Sequence, residues 1–236
     1  MITFTVLASS SRGNCYCVTD GSTRLLLECG IPYKEIQRKL DFQTSEIKCC
    51  LVSHEHKDHS KAVADMAKAG IDCYMSNGTA SALGVSGHRI KVVRAQETFQ
   101  VGTWTILPFE TQHDAAEPLG FLLVNRAGDK LLFVTDSFYI KYKFNGLTHI
   151  AIECNYALDI LNANVEAGTV PPAMKNRILQ SHFSLANVKE FFNANDLSRV
   201  AEIHLLHLSD GNSNAERFKR EIQELTGKVV YVADSQ

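Results

Sequence analysis

Six consecutive residues, His54-Glu55-His56-Lys57-Asp58-His59, restrict this chain more than any other stretch. Three histidines and an aspartate in so short a span are the composition of a metal site. The apolar run Cys49-Cys50-Leu51-Val52 precedes them, and a helix-like segment from Lys61 to Ala69 follows. Spacing adds geometry. On a helix, residues i and i+2 diverge, so His54 and His56 could not share an ion there. In an extended turn at a strand end they lie on one side and can. Asp58 and His59 are adjacent and diverge from that pair, which suits a second ion beside the first. The alternative is a polar loop whose histidines are incidental, and four ligand-type residues at this spacing weigh against it.

The pattern of apolar and turn residues around this segment predicts many short strands. Ile2 to Leu7, Cys15 to Val18, Arg24 to Glu28 and Cys49 to Val52 read as strands, with Asp20-Gly21 as a hairpin turn. Tyr33 to Leu40, Lys61 to Ala69 and Asn77 to Leu83 read as helices, the second closed by Gly70. Strands follow at Ile71 to Met75, Ile90 to Val93, Glu97 to Val101, Thr103 to Pro108, Phe121 to Val124, Lys130 to Thr135 and Ile150 to Glu153. Asn155 to Glu166 has a helical pattern, Gly168 to Pro172 breaks it, and Leu185 to Asn195 is amphipathic. A strand from Ala201 to Leu206, a helix from Asn214 to Leu225 and a strand from Lys228 to Val232 complete the chain. Two sheets packed face to face with helices outside would bury such strands.

Composition narrows the class further. A chain of 236 residues allows one domain with a large core or two small ones. Its net charge of −2 carries no polybasic signature for nucleic acid or membrane, although bound divalent cations would supply positive charge locally. The seven cysteines are odd in number and form no C-x-x-C pair, so buried thiols in a reducing compartment are expected. Cys15-x-Cys17 has no second pair and reads as packing. The start, Met1 to Leu7, lacks the basic residues of a signal peptide, and no apolar run is long enough to span a membrane. A cytoplasmic protein is the expectation.

The His-x-His-x-Asp-His segment resembles the signature of the metallo-β-lactamase fold superfamily. That resemblance implies an α/β (α+β) fold, a four-layer αβ/βα sandwich of two mixed sheets flanked by helices, here as one domain over residues 1–236. Two ions need further ligands at the mouths of later strands. His113, Asp136 and His207 each follow or end a predicted strand. Matched to the superfamily residue by residue, His54, His56 and His113 would hold one ion, Asp58, His59 and His207 the other, and Asp136 would bridge. The ligand set suits Zn²⁺, and mixed His/carboxylate sites also take Mn²⁺. His88, His149 and His204 find no place in this scheme. An offset of three along one strand puts His204 on the face opposite His207.

The last third is similar to a narrower family. Glu153-Cys-Asn155, Ala157-Leu-Asp-Ile-Leu161, Pro172, Lys175-Asn-Arg-Ile178, His182-Phe-Ser184 with Asn187, and His207-Leu-Ser209 with Asn212 follow in order. With Ser9-Ser-Ser-Arg-Gly-Asn14 they resemble the YycJ (WalJ) family, regarded as DNA exonucleases. There is a more distant similarity to tRNase Z, which also carries a non-ligand histidine about twenty-five residues before its last ligand. By that comparison His182 would protonate the leaving group or steady the scissile phosphate. Ser184 also reads as an N-cap. Ser11, Asn14, Arg177 and Ser209 are the candidate substrate contacts. Arg177 could equally cap a helix end, and the Ser9–Asn14 loop could be a plain connection. Phe138-Tyr-Ile-Lys-Tyr-Lys-Phe144 mixes aromatic and basic residues, which suits stacked bases and phosphates, or simply an amphipathic surface strip.

The chain departs from the family at Glu28, where Asp is usual, and that position supports the histidine loop. It lacks room for the extra domain of β-CASP nucleases, and no tRNA-gripping arm is evident. The expectation is therefore a compact binuclear phosphodiesterase, a DNA exonuclease in which a metal-bridged hydroxide attacks phosphorus while Asp58 orients the water. The alternative is a phosphodiesterase for cyclic nucleotides or other small phosphodiesters. Thioester or lactam hydrolysis ranks lower because such enzymes of this fold usually lack a His182-type residue, and a non-enzymatic binding module leaves the ligand set unexplained. Nucleic acid (DNA) or a small phosphodiester is the expected partner, with no membrane; a homodimer is left open.

Overall fold

A computed structural model of the chain describes residues 1–233, which fall into two compact units. The first comprises Met1–Glu110 and Ala115–Lys130, the second Thr111–Asp114 and Leu131–Ala233.

The first unit opens with β1 (Thr3–Ala8), β2 (Cys15–Thr19) and β3 (Arg24–Leu27), joined antiparallel. The β2–β3 turn is closed by Asp20, whose carboxylate accepts from the backbone N–H of Ser22 and Thr23, both at 2.9 Å. Then come α1 (Tyr33–Lys39), β4 (Ile47–Leu51), α2 (Lys57–Ser60), α3 (Val63–Lys68), β5 (Asp72–Met75), α4 (Asn77–Leu83) and β6 (Ile90–Val92). From β3 to β6 the pairing is parallel, giving a six-stranded mixed sheet in sequential order. The helix expected over 61–69 is α3, and a separate short helix, α2, precedes it, so Asp58 and His59 sit in a helical turn while His56, its N-cap, stays extended. The meander β7 (Phe99–Val101), β8 (Trp104–Glu110) and β9 (Leu119–Asn125) completes this unit. It is fastened to the first sheet by the Trp104 indole N–H, which donates to Thr23 O at 3.1 Å, and by Tyr74 stacked on Phe99. Cys15, Leu26, Cys50, Val52, Met66 and Cys73 share the apolar core beneath α3.

The second unit is built on parallel β10 (Lys130–Val134), β11 (His149–Glu153), β12 (Glu202–Leu206) and β13 (Val229–Val232). The second sheet, of seven strands, has the order β13-β12-β11-β10-β9-β8-β7. Both sheets are mixed and flanked by helices, as the resemblance implied. The helices here are α5 (Leu158–Glu166), α6 (Pro172–Ser181), α7 (Leu185–Ala194) and α8 (Ala215–Thr226). In α7, Leu185, Val188, Phe191 and Phe192 are buried, and Ser184 caps it by accepting from Asn187 N–H at 3.0 Å. α8 runs from the N-cap Asn214 to a left-handed Gly227. The sequence pattern predicts no element over residues 173–181, yet α6 lies there. Pro172 presets its first turn, and only Ser181 is buried, so no apolar stripe announces it. Among the described residues no helix is long and apolar enough to cross a membrane.

Candidate metal centre

In the first unit, β4 delivers the histidine segment. Parallel pairing between β3 and β5 buries Cys49, Cys50 and Leu51 completely, and the chain emerges polar at Ser53. Ser53 Oγ lies 2.8 Å from His54 Nδ1, and His54 Nε2 lies 3.1 Å from His56 Nδ1. The His54 and His59 ring centroids are 4.3 Å apart, and His59 Nε2 is 3.2 Å from an Asp58 carboxylate oxygen. The four residues therefore face one another across the strand-to-helix turn.

Two supports hold that turn. Asn14 is fully buried; its backbone N–H donates to Asp58 O at 2.7 Å and its side-chain amide lies 3.2 Å from His59 Nε2. Gly30 passes so close to Asp58 that an added Cβ would lie 1.6 Å from the Asp58 carbonyl oxygen. Only glycine fits there. Glu28, buried and left-handed at φ 63°, accepts from Ser53 N–H at 3.3 Å through both oxygens. One of those oxygens is 3.7 Å from His59 Nδ1. The longer acid thus still reaches the histidine loop, grips its backbone, and stands at ion-pair rather than hydrogen-bond distance from the ring.

In the second unit, β10, β11 and β12 are parallel and end at one edge, with Val134 opposite Ile152 and Glu153 opposite Leu206. Residues just past these ends must converge, as they do at the carboxyl edge of parallel sheets generally. Asp136 and His207 both take left-handed backbone, φ 35° and 52°, and turn back toward each other. Asp136 Oδ1 lies 2.6 Å from His207 Nδ1, while Oδ2 lies 3.7 Å from His113 Nε2 and 3.9 Å from His182 Nδ1. Glu153, wholly buried, accepts from the backbone N–H groups of Ser137 and Phe183 at 3.0 and 3.1 Å and holds His182 Nδ1 at 2.6 Å. Ligand atoms of Asp136, Glu153, His182 and His207 all lie within 4.8 Å of one another.

The electrostatics follow from burial beside carboxylates. Burial alone would lower the His207 pKa, but Asp136 and Glu153 outweigh it and push it up to about 10. His182 is raised too: burial pulls it down, and the Glu153 carboxylate more than reverses this. Glu153 is lowered, its burial overcome by the His182 charge. His113 moves the other way, lowered by burial against the pull of Asp136. Its Nδ1 donates to Ser181 O at 2.8 Å, which leaves Nε2, on the Asp136 side, as the lone-pair nitrogen.

These residues fit a divalent cation. A neutral imidazole with its tautomer fixed, a carboxylate offering one oxygen to each side, and a second buried carboxylate together call for positive charge. In the metal-free protein the proton on His207 supplies part of it. Asp136 could share a cation with His113 through Oδ2 or with His207 through Oδ1, and Asn155 Nδ2 fixes the His207 backbone carbonyl at 3.0 Å.

The remaining candidates are dispersed. Ser11 is exposed, and Ser209 is half-buried with its N–H on Asn155 O. Arg177, two-thirds exposed, is paired with Asp114 at 2.9 Å rather than capping a helix end. Asn14 is committed to the histidine loop. His88 is exposed, while His204 and His149 lie 3.1 and 3.8 Å from Glu202 near the far end of β12. Glu153 and Gly30 were not foreseen as site residues. The signal for Glu153 is an acid closing an otherwise apolar strand; Gly30, in Gly30-Ile-Pro32, reads in the sequence only as a chain break.

Fold and donor set together define a metal-dependent hydrolase, and residues 23–193 match the family described as beta-lactamase superfamily domain. The chain belongs to that superfamily. Among its relatives is the exodeoxyribonuclease WalJ of Streptococcus pneumoniae, 28% identical over 230 residues that cover 90% of this chain and 84% of that protein. Among solved structures, the metallo-β-lactamase fold protein YhfI of Bacillus subtilis superposes with a TM-score of 0.75 at 14% identity, covering 99% of this chain and 97% of its own. Human tRNase Z, short form, gives 0.66 at 13% identity, covering 100% and 97%.

Proposed function

We propose that this chain is a single-domain, binuclear metal-dependent phosphodiesterase acting on DNA as an exonuclease. His54, His56 and His113 would hold one ion, Asp58, His59 and His207 the other, and Asp136 would serve both. Zn²⁺ suits the histidine-rich set, and Mn²⁺ is the alternative. When bound, such ions activate water near neutral pH and neutralise charge developing on phosphorus. The residues do the rest. Asp58 orients the attacking water and accepts its proton. The water oxygen bonds to phosphorus in line as the bond to the leaving oxygen breaks. His182 supplies the proton that leaving oxygen needs.

One observation carries this reading. His182 is not needed as a ligand in that scheme, yet it is locked by Glu153 at Nδ1 and stands beside Asp136 and His207. Nε2, on the far edge of the ring, is then the nitrogen that exchanges protons with a substrate, and the Glu153 carboxylate favours the protonated ring. The name of the WalJ relative supports DNA as substrate. The all-reduced, buried cysteines support a cytoplasmic setting. A second reading, hydrolysis of cyclic nucleotides or other small phosphodiesters, is favoured by the net charge of −2.

The test compares 5′-phosphorylated duplex DNA with a set of cyclic nucleotides as substrates for the Mn²⁺- or Zn²⁺-loaded protein, with Asp136→Ala as control. Mononucleotide release from DNA that vanishes in the control is the expected result. Cleavage of cyclic nucleotides alone would replace the substrate while keeping the chemistry.

A further inference from the structure

Between Asp136 and β11 the chain runs without regular structure through Phe138 to Phe144, the aromatic and basic segment noted in the sequence. Packing accounts for only part of its composition. Ile140 and Phe144 are buried, but Tyr139 is 55% exposed. Beside it the segment and α7 enclose a cavity of about 200 Å³, lined by Tyr139, Lys141, Tyr142, Lys143, Phe183 and Glu190 among others. Two lysines face one glutamate there, in a chain whose overall charge is negative.

The cavity adjoins the catalytic cluster. Ser137, next to Asp136, donates its N–H to Glu153 at 3.0 Å and its hydroxyl to Tyr139 O at 2.8 Å. Phe183, next to His182, donates its N–H to the same carboxylate at 3.1 Å. The walls of the cavity and the proton-donating histidine are therefore pinned to one buried group. α7 holds the segment at both ends: Asn187 Nδ2 donates to Phe138 O and Phe144 N–H donates to Asn195 Oδ1, each at 2.8 Å. A platform positioned this way keeps its geometry when a ligand arrives. Lys141 Nζ lies 5.1 Å from the Tyr142 ring centroid, which sets a cation beside a second aromatic face.

We propose that this cavity is a nucleotide subsite for single-stranded DNA adjoining the scissile bond, with Tyr139 stacking a base and Lys143 contacting a phosphate. It rests on the reading of the chain as a DNA exonuclease. Aromatic faces accept any base, and lysines track the backbone, so the subsite grips the strand without reading its sequence.

The test measures binding of a fluorescein-labelled phosphorothioate oligothymidylate, which resists hydrolysis, to the metal-loaded protein. Hydrolysis of bis(p-nitrophenyl) phosphate, which carries neither a base nor a second phosphate, is followed in parallel. Tyr139→Ala is expected to weaken oligonucleotide binding at least about fivefold, and Tyr139→Trp to restore it to within about twofold. Lys143→Ala is expected to lower the slope of log K against log salt by about 0.7. All three variants should hydrolyse the small ester at the parent rate. Unchanged binding by Tyr139→Ala, no binding by the parent, or loss of small-ester hydrolysis alongside binding would each overturn the subsite. Tyr139-dependent binding with no nucleotide release from DNA would instead leave the subsite standing and remove the exonuclease.

Discussion

Replacing Gly30 by alanine tests how the histidine loop is supported. The added Cβ would lie 1.6 Å from Asp58 O, 2.1 Å from Asp58 C and 2.7 Å from His59 N, all backbone atoms that cannot rotate away. Reaching a tolerable 3.0 Å requires the two chains to part by about 1.4 Å. Four backbone hydrogen bonds bind these chains: Cys29 N–H to His59 O, Gly30 N–H to Asn14 O, Asn14 N–H to Asp58 O, and Ala62 N–H to Cys29 O, at 2.7–2.9 Å. Such a displacement carries them past hydrogen-bond length. At about 1 kcal/mol net each, the loss is about 4 kcal/mol. For a chain of this size that is a fall in Tm of about 8–16 °C. Thermal unfolding of the metal-free protein measures it. Metal affinity should drop as well, because Asp58 and His59 ride on the displaced backbone. A Tm within about 2 °C of the parent, with unaltered metal binding, would refute the argument that this contact allows glycine alone.

Three further outcomes follow from the second unit. Glu153→Gln keeps the shape but removes the charge that raises the His182 pKa. The His182 pKa, followed by NMR, should fall, and turnover should drop by about 10²-fold or more; a variant with normal turnover would relieve Glu153 of any role in positioning. The raised His207 pKa makes the metal-free protein pH-sensitive. Its proton stabilises the fold fully below the unfolded imidazole value of about 6.5 and is lost as pH rises through about 10. Urea unfolding of metal-free protein should therefore show stability declining across that window, while divalent-metal affinity rises as the competing proton leaves; a flat profile would contradict the assignment. Ser184→Ala removes the α7 cap and should cost about 1 kcal/mol in the same unfolding assay, with no loss as the contrary result.

Much of this protein is legible in its amino-acid order because the relevant physics is local. Strand alternation, the Asp20-Gly21 turn, the Ser184 cap and the left-handed Gly227 each depend on neighbours a few residues away. The histidine segment likewise carries its own geometry, since extended backbone at a strand end fixes which side His54 and His56 share. Distances set by tertiary packing were out of reach. Nothing around Glu153 indicates that His182, 29 residues later, will lie 2.6 Å away. Asn14 looked like a loop amide facing substrate, but close approach of the 29–30 segment buries it against Asp58. Gly30 shows its necessity only once Asp58 O is beside it. α6 forms without an apolar stripe, its start preset by Pro172. The sequence by itself determined the donors, because ligand chemistry belongs to residue type. The tertiary structure decided which groups orient and charge those donors, because those interactions link residues that only the fold makes neighbours.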